Sequence, residues 1–116
     1  LFYEKEMTVT PDFIVSGRSG SRFTFDYLIA KPKKETVIQV FNNFDKANLA
    51  TFLFGVDEVK TTREQLSEKT FEPIAIINDV DNNVKKEFLD ALNNRDMGYL
   101  LWSEHEAPGF IQRLAS

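Results

Sequence analysis

Ser21-Arg22-Phe23-Thr24-Phe25-Asp26-Tyr27-Leu28-Ile29-Ala30 is the stretch whose reading decides the fold. Phe23, Phe25, Tyr27 and Ile29 alternate with Thr24, Asp26, Leu28 and Ala30, which is the period of two of a β-strand. Upstream, Phe13-Ile14-Val15 begins another strand, and Ser16-Gly17-Arg18-Ser19-Gly20 supplies a glycine-bearing reversal between the two. An antiparallel hairpin follows from this pairing. Thr10-Pro11-Asp12 reads as a turn or breaker ahead of it.

Downstream, Lys31-Pro32-Lys33-Lys34 is a polar turn, and Thr36-Val37-Ile38-Gln39-Val40-Phe41 is a third, β-branched strand. Its alternation sets Val37, Gln39 and Phe41 on one face and Ile38 and Val40 on the other. Asn42 or Asn43 is then placed to cap a helix. In that helix Phe44, Ala47, Phe52, Val56 and Val59 recur at helical spacing, with an end near Lys60 and Gly55 as an interior weak spot. Ile74-Ala75-Ile76-Ile77 is continuously apolar, as suits a parallel strand covered on both faces. Val84, Phe88, Ala91 and Leu92 mark a second helix, Tyr99-Leu100-Leu101-Trp102 a last strand, and Pro108 to Leu114 a closing helix. The expected fold is α/β. A three-stranded meander is followed by α-β-α-β-α, around a mixed sheet of about five strands. Residues 1–9 and 60–72 give no firm reading, the first being compatible with a helix.

The chain has 116 residues, 42% of them hydrophobic, with eleven Phe. That is one domain with enough apolar surface for its own core. There is no Cys, so disulfides and thiolate metal sites are excluded. No apolar run approaches the roughly 18 residues of a membrane span. A cytoplasmic setting is the expectation, and no leader is visible in the charged opening Leu1-Phe2-Tyr3-Glu4-Lys5-Glu6. A start at Leu suggests the C-terminal part of a longer protein.

Net charge is −4, but residues 1–34 carry +2 and residues 35–116 carry −6. Arg18, Arg22, Lys31, Lys33 and Lys34 lie in or beside the first hairpin and are the candidate binding residues for a nucleic-acid phosphate backbone. The Gly17-Arg18-Ser19-Gly20 turn can be read as a plain reversal or as a phosphate cradle of backbone N–H groups. Asn78, Asp79 and Asp81 follow a strand's carboxyl end, where open α/β sheets bind ligands. They are also ordinary cap and turn residues. His105, the only His, has no nucleophile elbow near it and reads as a surface residue.

Asp26 on the second strand and Gln39 thirteen residues later on the third resemble, in order and spacing, the restriction-endonuclease-like nuclease fold. The resemblance implies an acidic residue on the second strand, then acid-x-Lys on the third, holding a divalent cation such as Mg²⁺ against a phosphate. Asp26 and Gln39 are then the candidate metal ligands, with Glu35 an alternative carboxylate. Phe41 stands where the lysine belongs, so Lys46 on the following helix is the candidate replacement. Gln39 offers only a neutral oxygen, which points to lost catalysis and to no required cofactor. Ser16-Gly17-Arg18-Ser19-Gly20, Phe25-Asp26-Tyr27-Leu28-Ile29, Ile77-Asn78-Asp79 and Leu101-Trp102-Ser103 together resemble a bacterial and phage C-terminal domain family of unknown function. The expected function is a catalytically degenerate accessory domain binding nucleic acid or a protein partner. The alternatives are an active Mg²⁺-dependent nuclease and a structural or oligomerising domain; the oligomeric state stays open.

Overall fold

In a computed structural model, which describes residues 7–115, the alternating stretch is the second strand of a five-stranded sheet. The elements are β1 (Thr8–Ser16), β2 (Arg22–Ala30), β3 (Lys34–Phe41), α1 (Lys46–Ser67), β4 (Thr70–Ile77), α2 (Lys86–Asn94), β5 (Gly98–Leu101), a 3-10 turn Trp102–Glu104 and α3 (Pro108–Ala115). The strands lie in chain order β1-β2-β3-β4-β5. β1, β2 and β3 pair antiparallel, then β4 joins β3 and β5 joins β4 in parallel. The α/β class and the meander followed by α-β-α-β-α are as the sequence predicts.

Two apolar clusters sandwich the sheet. Leu49, Phe52, Val56 and Val59 of α1 and Leu92 of α2 pack with Phe25, Leu28, Val37 and Phe41. Phe110 and Leu114 of α3 pack with Met7, Ile29, Ile38, Ile74 and Ile76 on the opposite face. β4 contributes to both clusters, as an apolar run without alternation should.

Several boundaries differ from the sequence expectation, each for a local reason. β1 begins at Thr8 and runs through Pro11-Asp12 rather than breaking there. It is an edge strand, where a missing N–H is tolerated, and Asp12 takes a left-handed φ of 50°. Of the residues considered for an N-terminal helix, Thr8 and Val9 are in this strand and residues 1–6 lie outside the described residues. The cap of α1 is Asp45, not Asn42 or Asn43: its carboxylate accepts from the Asn48 N–H at 2.8 Å. The helix continues past Lys60 to Ser67 and ends at Glu68 in the left-handed region. Gly55 is buried against Phe23, where an added Cβ would lie 3.3 Å from the ring.

The largest correction concerns alternation in β2. Phe25 and Leu28 share the α1-side cluster while Ile29 belongs to the other, so the strand changes face between Phe25 and Leu28. Its pairing with β1 runs from Phe13–Phe25 directly to Pro11–Tyr27, stepping over Asp12 and Asp26. The pairing of β2 with β3 stops in the same place, at Tyr27–Ile38. β3 meanwhile stays paired with β4 as far as Phe41–Ile77. β2 and β3 therefore form a fork, closed at the Lys31–Lys34 turn and open toward Arg22 and Phe41.

Candidate functional site

Asp26 and Gln39 lie on the two strands of the fork. Asp26 fills the gap between the strands: its Oδ2 accepts from the Val40 N–H at 2.7 Å. The carboxylate thus takes over a backbone acceptor's role where the ladder ends. Gln39 sits one residue before Val40 and lines a cavity of about 270 Å³ beneath α1. Its Oε1 is buried and has no hydrogen-bond partner.

The other candidates do not join them. Glu35 is buried and held by Arg63 of α1 through a two-pronged pair at 2.8 and 2.9 Å. That hydrogen bond raises the Arg63 guanidinium above its ordinary value, against the opposing effect of burial. Lys46, exposed at the first position of α1, is not part of the cavity lining. Phe41, at the position where the resemblance calls for lysine, packs edge-on to Phe44 and Phe52 in the core. A divalent cation does not fit this donor set. Asp26 has one oxygen committed to the backbone, Gln39 is neutral, and Glu35 is neutralised by Arg63. Among the described residues no three Asp, Glu or His side chains gather to hold a metal.

Nor does the structure bring the five candidate cations together. Arg18 pairs with Asp57 at 2.9 Å and Glu58 at 3.0 Å. Ser19 N–H donates to Glu58 as well, and the Gly17, Arg18 and Gly20 N–H groups all have backbone acceptors. Hydrogen bonding from Ser19, opposed by burial and reinforced by Arg18, lowers the Glu58 pKa. A carboxylate thus occupies the turn's donors, and the phosphate-cradle reading falls. Gly17 itself is required by close packing, since a Cβ there would lie 2.7 Å from the Phe23 ring.

Lys31 is buried and donates to Thr36 Oγ1 at 2.9 Å. Burial, with Lys34 nearby, lowers its pKa to about 8. Thr36 Oγ1 in turn donates to Glu72, which pairs with Arg113 at 2.8 Å and Lys34 at 3.5 Å. Burial works to raise the Glu72 pKa, but these partners outweigh it and the carboxyl is lowered. Only Arg22 and Lys33 of the five are exposed without an ion pair among the described residues. They lie at opposite ends of β2, roughly 25 Å apart at about 3.3 Å per residue.

On the α3 side of the fork lies a cleft that the sequence did not announce. Tyr27, Val40, Phe41, Ile76 and Trp102, with Asn42 and Asn78, line about 400 Å³. Tyr27, Val40 and Trp102 are each more than 40% exposed. The face change at Asp26 turns Tyr27 to this side. The rim is stiff: Asn78 Nδ2 donates to Asn42 Oδ1 at 2.8 Å and to Asp81 at 3.1 Å. Asp79 accepts from Ser103 N–H and Oγ–H at 2.8 and 2.6 Å, which lowers its pKa. Asn78, Asp79 and Asp81 thus serve as loop ties. His105 stacks on Trp102 at 4.1 Å and its Nδ1 meets the Trp102 carbonyl at 2.7 Å. The signal available in the sequence was two ring residues, Tyr27 directly after a mid-strand Asp and Trp102 just past the last strand and before a polar loop.

Residues 17–105 match the family described as Domain of unknown function DUF1829. The chain belongs to the DUF1829 family. The matched span of the DUF1829 domain runs from the Gly17 turn to His105, so it contains the fork, both clefts and the Trp102 loop. Its fold is similar to a solved structure described as "Crystal Structure of Protein of Unknown Function AF1548". The two agree with a TM-score of 0.65 at 12% identity, over 97% of this chain and 60% of that one. The chain thus spans about 60% of that protein's length, and the likeness is one of fold. No curated protein matches the chain.

Proposed function

We propose that this chain is a catalytically degenerate, restriction-endonuclease-like accessory domain whose forked end docks a protein partner. The observation that carries the reading is the exposed apolar cleft of Tyr27, Val40 and Trp102 on the sheet face beside α3. A sheet with parallel strands ordinarily has both faces covered, and exposed contiguous apolar surface marks interaction sites. The nuclease-like ancestry is supported by the strand order and by Asp26 and Gln39 flanking the fork. The loss of catalysis is supported by Phe41 in the core and by Glu35 locked to Arg63.

A protein partner is favoured over a nucleic-acid backbone because Arg18, Lys31 and Lys34 are already engaged by acidic or polar partners within the fold's own residues. Among the described residues the hairpin's five candidate cations form no shared basic face to offset a net charge of −4. The partner supplies apolar side chains to the cleft, framed by the Asn42–Asn78 rim. Two assays test this. The chain incubated with DNA or RNA and Mg²⁺ or Mn²⁺ leaves the substrate intact; cleavage abolished by Asp26→Ala would restore the nuclease. Purified from its native source, the chain retains a stoichiometric protein that the Val40→Lys variant loses. Retention of nucleic acid instead, or equal retention by both forms, would contradict it.

A further inference from the structure

The cavity beneath α1 lies on the other face of the sheet from the docking cleft, and its chemistry is different. Its walls are aromatic. Phe23 is cradled between Gly17 and Gly55, where any Cβ would crowd the ring. Phe41 and Phe52 also line the cavity and meet edge-to-face at 5.5 Å. At the β3 wall lies Gln39 with a buried Oε1 that accepts no hydrogen bond. An unmade hydrogen bond of this kind costs stability unless something supplies the donor. At the mouth stands Arg22, exposed and without an ion pair among the described residues.

We propose that this cavity binds a nucleotide: a planar ring bearing an N–H that donates to Gln39 Oε1, with its phosphate toward Arg22. Each feature selects one part of the guest. The Phe23 and Phe41 walls accept a ring by stacking, which every base offers. The orphan oxygen, closed to solvent in the free domain, takes a ring donor once the Gln39 amide turns toward the guest, as an amide reads a base edge. The guanidinium grips a phosphate. At about 270 Å³ the cavity is small for a drug-sized ligand and fits one base unit rather than a stacked run. The cavity opens on the α1 side and the docking cleft on the α3 side, with only Phe41 lining both.

The shared chemistry can come from a free mononucleotide or from one nucleotide of a single strand, and the experiment separates them. The intact chain is titrated with the four nucleoside 5′-monophosphates, their nucleosides and a short single-stranded oligonucleotide, followed by calorimetry and by NMR at Gln39 and Phe41. Saturable binding is expected for at least one ligand. Gln39→Leu should weaken it about tenfold or more, the value of one hydrogen bond in a buried site, while leaving the domain at least as resistant to urea. Arg22→Gln should weaken phosphate-bearing ligands and spare nucleosides. Mononucleotide binding assigns a free ligand; pocket-dependent binding of the oligonucleotide alone assigns a strand. No binding by any of them at millimolar concentration, or affinity unchanged in Gln39→Leu, would overturn the proposal.

Discussion

The two ends of the β2–β3 hairpin are built to opposite rules. At the closed end, polar groups brought inside are matched. Glu35 meets Arg63, and Lys31, Thr36 and Glu72 form a chain that Lys34 and Arg113 complete. At the open end, Asp26 is spent on a backbone N–H, Gln39 Oε1 has no partner, and Tyr27 and Val40 face solvent. Matched buried charge costs much when half of it is removed. An unmatched polar atom and exposed apolar surface cost the free domain and are relieved only by something bound. The closed end thus holds the hairpin, and the open end carries the unmatched groups.

The largest effect should come from breaking the closed end. Arg63→Met leaves Glu35 buried without its cation and should destabilise the domain by about 3 kcal/mol, read as a lower urea midpoint. A loss below about 1 kcal/mol would show that Glu35 is solvated and that the closed end is no tighter than the open one.

Lys31 offers a pH-dependent test of the same end. Its folded pKa is near 8 against an ordinary 10.5, so between those values the unfolded chain holds a proton that the folded chain lacks. Stability contributed through Lys31 therefore rises with pH across that window and levels off above it. The ceiling is about 3 kcal/mol, since one pKa shift unit is worth about 1.4. Urea midpoints for wild type and Lys31→Met, compared from pH 7 to 11, should converge as pH rises. Parallel curves would mean that Lys31 titrates normally.

Effects at the fork should be smaller. Asp26→Ala removes one partly exposed hydrogen bond to Val40 and should cost about 1 kcal/mol, with faster amide exchange at Val40. A cost of several kcal/mol would make Asp26 a structural keystone and blur the contrast. Smallest of all, Gln39→Leu should shift stability by no more than about 0.5 kcal/mol and in the favourable direction, because it deletes an unsatisfied group. A clear loss would mean that Gln39 has a structural partner.

The element order was legible because strand alternation and apolar runs are local properties. The last turns of α1 were not. Lys60 to Ser67 carry little apolar periodicity, and distant partners hold that segment: Arg63 pairs with Glu35 and Glu64 accepts from the Phe71 N–H. The fates of Arg18 and Lys34 were hidden for the same reason, since Glu58 and Glu72 lie some 40 residues along the chain. That Asp26 and Gln39 sit on adjacent strands was legible from strand spacing. The face change at Asp26 was not, because it depends on β1 distorting opposite it at Asp12. That single kink moved Tyr27 and Ile29 away from Phe25 and opened the cleft.

The most direct test of the account compares the two ends in the cell. A photo-crosslinking amino acid is placed at Val40, in the open-end cleft, or at Lys33, in the exposed closed-end turn. The account predicts one discrete protein adduct from Val40, lost when Trp102→Asp is added, and none from Lys33. Adducts to nucleic acid from Val40, or a protein adduct from Lys33 alone, would contradict it.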